Sequence, residues 1–199
     1  MDLARALEPL YRNYLRRLDE MVARLGEDGV LREAAVRGED GRIVAGPEGL
    51  PRRFDVASAA TSETFEVHGA HPDQPAARDV AVGSIAVRIE PGNWEELSIA
   101  CAFGGEPKND DMAAVADLLR SWAVLAGEGG FAAHRPADAV RWSGRLHSVA
   151  LSLRGAEVVA IADLGTCPPE ALDPLVAALD GFGRDRPRIE RVVLGGPPS

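Results

Sequence analysis

The chain has 199 residues, 46% hydrophobic and 27% charged, with a formal net charge of -9. That composition belongs to ordinary globular proteins, and the length suffices to bury a core without disulfides or metal. Acidic side chains outnumber basic ones in residues 1–60 (11 to 10), 61–110 (9 to 3) and 111–199 (11 to 9). There is no basic stripe, which argues against nucleic-acid binding driven by phosphate contacts.

Other classes fall away as readily. No run approaches the roughly 18 to 20 apolar residues of a membrane helix, so no membrane partner is expected. The opening "MDLARALEPL" has no apolar signal core. Two cysteines, Cys101 and Cys167, make no disulfide framework. A cytoplasmic setting is expected. Lys108 is the single lysine among 22 basic residues, and with so much Ala, Gly and Pro this is the mark of a GC-rich, bacterial-like coding bias.

Leu3, Leu7, Leu10, Tyr14, Leu18, Met21 and Leu25 recur at spacings of three and four, which predicts an amphipathic helix. Pro9 lacks a backbone donor, so the firm part is read as 9–25, with Gly26 as the stop. "VLREAAVRGEDGRIVAG", residues 30–46, reads as a hairpin around "GEDG". "RRFDVASA" and "ETFEVHG" read as short strands. "AHPDQPAARD", residues 70–79, is a loop that separates an N-terminal region, 1–69, from an α+β domain, 80–196.

"VAVGSIAVRIE" and "WEELSIACAFGG" read as two strands joined at "PGN". A helix over 111–126 follows, with Asp110 and Asp111 at its N-terminus. "RLHSVALSLRG" and "AEVVAIADLG" form a hairpin, "DPLVAALDGFG" a second helix with Asp173 as N-cap, and "RIERVVLGG" a last strand. From residue 95 the order is strand, helix, strand, strand, helix, strand. This is the split-βαβ, ferredoxin-like order of an antiparallel α+β sheet, extended at one edge by the strand at 80–90. The apolar run 158–162 is expected at the sheet centre, buried on both faces. Helices cover one face; the N-terminal region or a second copy in a homodimer covers the other.

Candidate chemistry is sparse. Cys167 precedes Pro168 and Pro169; a thiol at a helix N-terminus gains reactivity, but a helix starting at Asp173 leaves Cys167 in a turn. Cys101 alternates with apolar neighbours and reads as buried. His68 and His71 are the weak metal candidates, beside Glu66 and Asp73, without a third ligand at zinc spacing. Glu95, Glu96, Asp110 and Asp111 read as solvating or helix-start carboxylates. Asp163, at a strand end, is better placed to serve a site. The Gly-rich stretches "GEGGFA" and "AFGGEP" fit no phosphate-binding loop, and G-x-S-x-G, H-E-x-x-H and C-x-x-C are absent. No cofactor is expected.

Those absences favour a non-enzymatic protein-binding or accessory module. An immunity-protein-like inhibitor, or a chaperone that binds a basic partner, fits the acidic balance. Trp94, Trp142, Glu95 and Glu96 are the expected binding residues, the tryptophans as exposed aromatics at the end of the sheet. The alternatives are a small enzyme built around Cys167, Asp163 and His147, and a small-ligand sensor with a pocket between the sheet and the loop 69–79.

Overall fold

In a computed structural model, residues 2–68, 76–182 and 187–196 are described. They form a mixed α+β structure of two sheets: a three-stranded antiparallel one from the N-terminal region and a six-stranded mixed one. His71, Asp73 and most of the loop 70–79 lie outside the described residues.

Helix α1 (Leu3–Leu25) covers the whole amphipathic run, six residues more than its firm part at 9–25, and passes through Pro9. Asp2 caps it, its carboxylate accepting the Ala4 N–H at 3.2 Å. Pro9 is exposed and costs α1 one hydrogen bond, which the packing of Leu3, Leu7 and Leu10 outweighs. The small sheet is β1 (Val30–Arg32), β2 (Val56–Ser58) and β3 (Thr64–Phe65), in that order. The chain between β1 and β2 folds back at "GEDG", where Arg37 bridges Ile43, and again where Ala45 bridges Pro51.

The large sheet is built from β4 (Arg78–Val82), β5 (Ile85–Ile89), β6 (Leu97–Phe103), β7 (Ser148–Arg154), β8 (Glu157–Asp163) and β9 (Ile189–Gly195). Its order is β4-β5-β9-β6-β8-β7. Three expectations are corrected here. The run 80–90 is a hairpin, not one strand, because Gly83 turns the chain at φ 61° and the Asp180 carboxylate holds Ser84 through its N–H (2.9 Å) and hydroxyl (2.5 Å). "PGN" does not join paired strands: β9 lies between β5 and β6, and it pairs parallel to β5, so the sheet is mixed. β8 is an interior strand one place from the edge rather than central; burial on both faces holds for most of 158–162, with Val159 buried on the face opposite the helices and Ile161 half-buried.

Helix α2 (Asn109–Gly127) follows β6, and α3 (Leu172–Phe182) follows a 3-10 turn at Pro169–Ala171. Asp111 accepts the Lys108 N–H at 3.0 Å at the start of α2. Val115, Leu119 and Trp122 of α2 and Leu175, Val176 and Leu179 of α3 share one core with Leu97, Ile99, Cys101, Val158, Ala160 and Ala162 of the sheet. Alternation sends the other residues of these strands to the opposite face. There small side chains stand among longer ones: Ala81, Ala86, Ala150 and Ser152 are exposed, Ala100, Ala102 and Val193 half-buried, and Arg88, Val159, Ile161 and Arg191 share the face with them. At the β7 edge, Glu48 accepts the Leu151 N–H (3.2 Å) and is itself held by Arg120 (2.9 Å).

α1 packs against the 3-10 turn before α3, against α3, and against β2. Tyr11 of α1 stacks at a tilt on Trp94, ring centroids 5.5 Å apart, and donates to the Thr166 carbonyl. Trp94 donates to the Gly165 carbonyl at 3.0 Å, and Trp142 donates to Asp19 of α1 at 3.1 Å. Both indoles are 1% exposed, so the expected exposed aromatic pair is instead core. Each indole finds the acceptor that a buried N–H requires. Among the described residues no helix is long and apolar enough to cross a membrane.

Candidate functional site

The ladder of β7 and β8 extends one residue beyond Ser148, where the His147 N–H donates to the Asp163 carbonyl at 2.9 Å. This fixes the His147 side chain at the seam between the two sheets. Its ring packs on the backbone of Gly165, which has φ 53°; a Cβ there would meet Cδ2 of the imidazole at 2.3 Å. Only glycine fits that combination of left-handed backbone and close approach.

Three carboxylates surround this imidazole. Nε2 lies 3.1 Å from Glu33 Oε1. Nδ1 lies 3.2 Å from Asp55 Oδ1 and 3.8 Å from Asp163 Oδ2, ion-pair contacts rather than aligned hydrogen bonds. His147 is 0% exposed, Asp55 3% and Glu33 4%. Glu33 has a left-handed backbone, φ 50°, and its carboxylate also accepts the Thr166 hydroxyl and the Ser143 N–H. Thr166 in turn accepts the Gly144 N–H at 2.9 Å. Asp55 accepts the Tyr14 hydroxyl from α1 and the Val67 N–H at 2.6 Å. Charges this deep persist only when paired and hydrogen-bonded.

The electrostatics follow from that packing. Burial alone would strip His147 of its proton, but Asp55 and Glu33 on its two nitrogens, and the charge of Asp163, push its pKa up to about 10. Burial alone would protonate Glu33; the contact and charge of His147, with the Ser143 and Thr166 donors, hold it below the usual carboxylate range. For Asp163 burial wins: its pKa rises to about 7, despite His147 and a 3.0 Å bond from the Gly165 N–H. Burial and the Asp55 charge raise the Tyr14 phenol well above its ordinary value.

Asp163 also faces outward, with its side chain 28% exposed. It lines a cleft of about 940 Å³ floored by Ser148, Ala150 and Ile161 on the face of the large sheet opposite α2 and α3. The segments 44–47 and 52–53 make one wall. Asn93, Glu95 and Glu96 make another, and Glu66 and His68 stand at the rim. Burial raises the Glu95 carboxyl despite the Arg17 guanidinium 3.5 Å away. Burial and the nearby charge of Arg145 lower Arg53. His68 Nε2 lies 3.2 Å from Glu66 Oε2.

The structure thus brings together His147 and Asp163, and places Glu95, Glu96 and His68 around the same cleft. Cys167 stands apart from it: the residue is fully buried, two positions before the 3-10 turn, and burial with the charges of Glu170 and Glu33 raises its thiol pKa. Cys101 is buried in β6 and raised for the same first reason. Asp110 is exposed, and Asp111 serves the start of α2. Glu33, Asp55, Tyr14 and Thr166 escape a reading of sequence spacing because they come from separated segments. The one local signal is Asp55 itself, a carboxylate inside the run "RRFDVASA". Among the described residues no group of three or more His, Cys, Asp or Glu side chains is arranged to hold a metal ion.

No family model, no curated protein and no solved structure matches the chain.

Proposed function

We propose that the chain is a non-enzymatic binding module that holds a basic segment of a partner protein in the cleft above Asp163. One observation carries this: the cleft gathers four carboxylates, Glu66, Glu95, Glu96 and Asp163, against two lining guanidinium groups, Arg52 and Arg53, and a third, Arg17, that reaches Glu95 from α1, over a floor of Ser148, Ala150 and Ile161. A floor of Ser148 and Ala150 leaves room for a long Lys or Arg side chain, and the carboxylates supply its counter-charge. The acidic balance of the whole chain supports the same partner chemistry by drawing basic proteins towards it. An immunity-type inhibitor or a chaperone in the cytoplasm is the role in keeping with this surface.

The strand order β9-β6-β8-β7, antiparallel throughout, supports reading residues 95–196 as a ferredoxin-like unit extended by the β4–β5 hairpin. The face of the sheet opposite α2 and α3 is the surface a second copy would use in a homodimer. A second reading, a small-ligand sensor, is favoured by the placing of the cleft on the sheet face beside Glu66 and His68, which lead into the segment 69–75.

The test is capture of partners by the tagged chain from lysate, alongside a Glu95→Gln, Glu96→Gln, Asp163→Asn variant, at low and moderate salt. The proposal expects one dominant basic protein, lost with the variant and weakened by salt. Equal capture by both chains removes the cleft from the interaction.

A further inference from the structure

We infer that the cleft is a pH-gated cation site, in which Asp163 anchors a basic side chain while ionised and releases it on taking up a proton. This rests on the binding reading above and adds its regulation. One imidazolium, His147, is shared by three carboxylates, at 3.1 Å (Glu33), 3.2 Å (Asp55) and 3.8 Å (Asp163). Glu33 and Asp55 are sealed and each is satisfied by further donors: Thr166 and Ser143 on the first, Tyr14 and Val67 on the second. Asp163 is the farthest of the three and the one open to the cleft.

Asp163 is therefore the carboxylate with the weakest claim on the shared positive charge. The groups facing it from the packed elements are His147 ahead of β7, Asp55 and Glu33 from the N-terminal sheet region, Tyr14 from α1 and Glu66 beyond β3. Across the cleft stand Glu95 and Glu96, with Arg17 reaching Glu95, and on the opposite wall Arg52, Arg53 and, at the rim, His68. The carboxylates in this set outnumber the cations close to Asp163; burial first, and then the charges of Asp55 and Glu66 against that of His147, place its pKa at about 7. A cation entering the cleft supplies the missing counter-charge and holds Asp163 ionised. By linkage, a proton and the cation exclude one another. Glu33 and Asp55 keep His147 charged throughout, so the gate is Asp163 and not the imidazole.

The probe is a fluorescent decapeptide of arginine interspersed with glycine and serine, followed by anisotropy at constant ionic strength from pH 5.5 to 8.5. The wild-type affinity is expected to fall about tenfold across that range as the pH drops, the loss of one charged anchor. Asp163→Asn, which keeps an acceptor for the Gly165 N–H, is expected to bind weakly with a nearly flat profile. Pairing it with Glu95→Gln separates Asp163 from the other raised carboxyl. A wild-type affinity flat with pH overturns the gate and leaves the cleft reading standing. Absence of binding at pH 8.5, or binding by the Asp163→Asn and Glu95→Gln Glu96→Gln variants as tight as the wild type's, overturns the cleft reading and the gate with it. Carbon-13 NMR of the Asp163 carboxyl in the free wild-type chain reads the gate without any variant: a midpoint near 7 supports it, and one near the ordinary aspartate value of about 3.9 overturns it.

Discussion

His147 Nε2 and Glu33 Oε1 meet at 3.1 Å with both side chains sealed from water, although the two residues are 114 positions apart in sequence. The contact ties the segment after β1 to the chain entering β7. Removing one partner of such a pair leaves the other charge buried and uncompensated. Glu33→Ala is expected to destabilise the chain by about 3–5 kcal/mol, and Glu33→Gln, which keeps an acceptor, by less. Urea unfolding of the two variants beside the wild type measures both, as a shift of midpoint at constant slope.

The same cluster sets the direction of the pH dependence of stability. His147 is raised to about 10 in the folded chain, so its contribution is complete below the unfolded value of about 6.5 and is lost as pH rises through 10. Asp163 is raised to about 7; its ionised form is disfavoured by folding, so it too lowers stability as pH climbs from about 4 to 7. Glu33 is lowered, so its contribution is present above the ordinary glutamate value and lost as pH falls through its folded one. The chain should melt at a higher temperature at pH 6 than at pH 9.5, and lose stability again below about pH 4. Calorimetry at those three pH values checks the order, and a higher melting point at pH 9.5 would contradict it.

Gly165→Ala asks for a Cβ at φ 53° and 2.3 Å from the His147 ring. Strain and clash act together, and the expected cost is about 2–4 kcal/mol. Gly155, at φ 59° in the β7–β8 turn with open space around its Cβ position, is the control: Gly155→Ala carries the backbone strain alone and should cost about 1 kcal/mol.

Pro9→Ala should act in the opposite sense. Pro9 lies within α1 and is exposed, so alanine restores a helix hydrogen bond without disturbing the core. A gain of about 1–3 kcal/mol is expected from the same urea experiment.

Neither thiol should react in the folded chain. Cys101 and Cys167 are both 0% exposed, and burial raises the pKa of both. A chromogenic disulfide reagent at pH 8 should label two thiols in denaturant and none within the native lifetime. Prompt labelling of Cys167 in native conditions would restore it as a nucleophile.

The helices and the β7–β8 hairpin are legible in the sequence because their signals are local: three- and four-residue periodicity in one case, two apolar runs around "RGAE" in the other. The place of β9 is not. Its insertion between β5 and β6 is a pairing across more than 80 residues, while "PGN" offers a strong local turn signal that points elsewhere. Gly92 explains the outcome: its Cβ position is 2.5 Å from the backbone of Gly195 and Gly196, so this glycine makes room for the end of β9 rather than for a hairpin. The cleft is half-legible. Asp163, Glu95 and Glu96 draw notice at strand ends and turns, whereas Glu33 and Asp55 look like surface charges until the fold closes over them. Trp94 and Trp142 mislead for the same reason: a turn suggests exposure, yet α1 lies across both.

Glu48 has a bearing on how copies of this chain meet. The β7 rim of a sheet is a template onto which another strand can add, and Leu151 N–H is one of the donors such a strand would need. Glu48 already occupies that donor, and Arg120 keeps the carboxylate in place. A neighbouring chain adding along β7 would have to expel a negatively charged plug from the middle of the strand. The sheet is thus stoppered against open-ended growth along that rim, and crowding in the cell cannot readily turn it into the seed of a fibre.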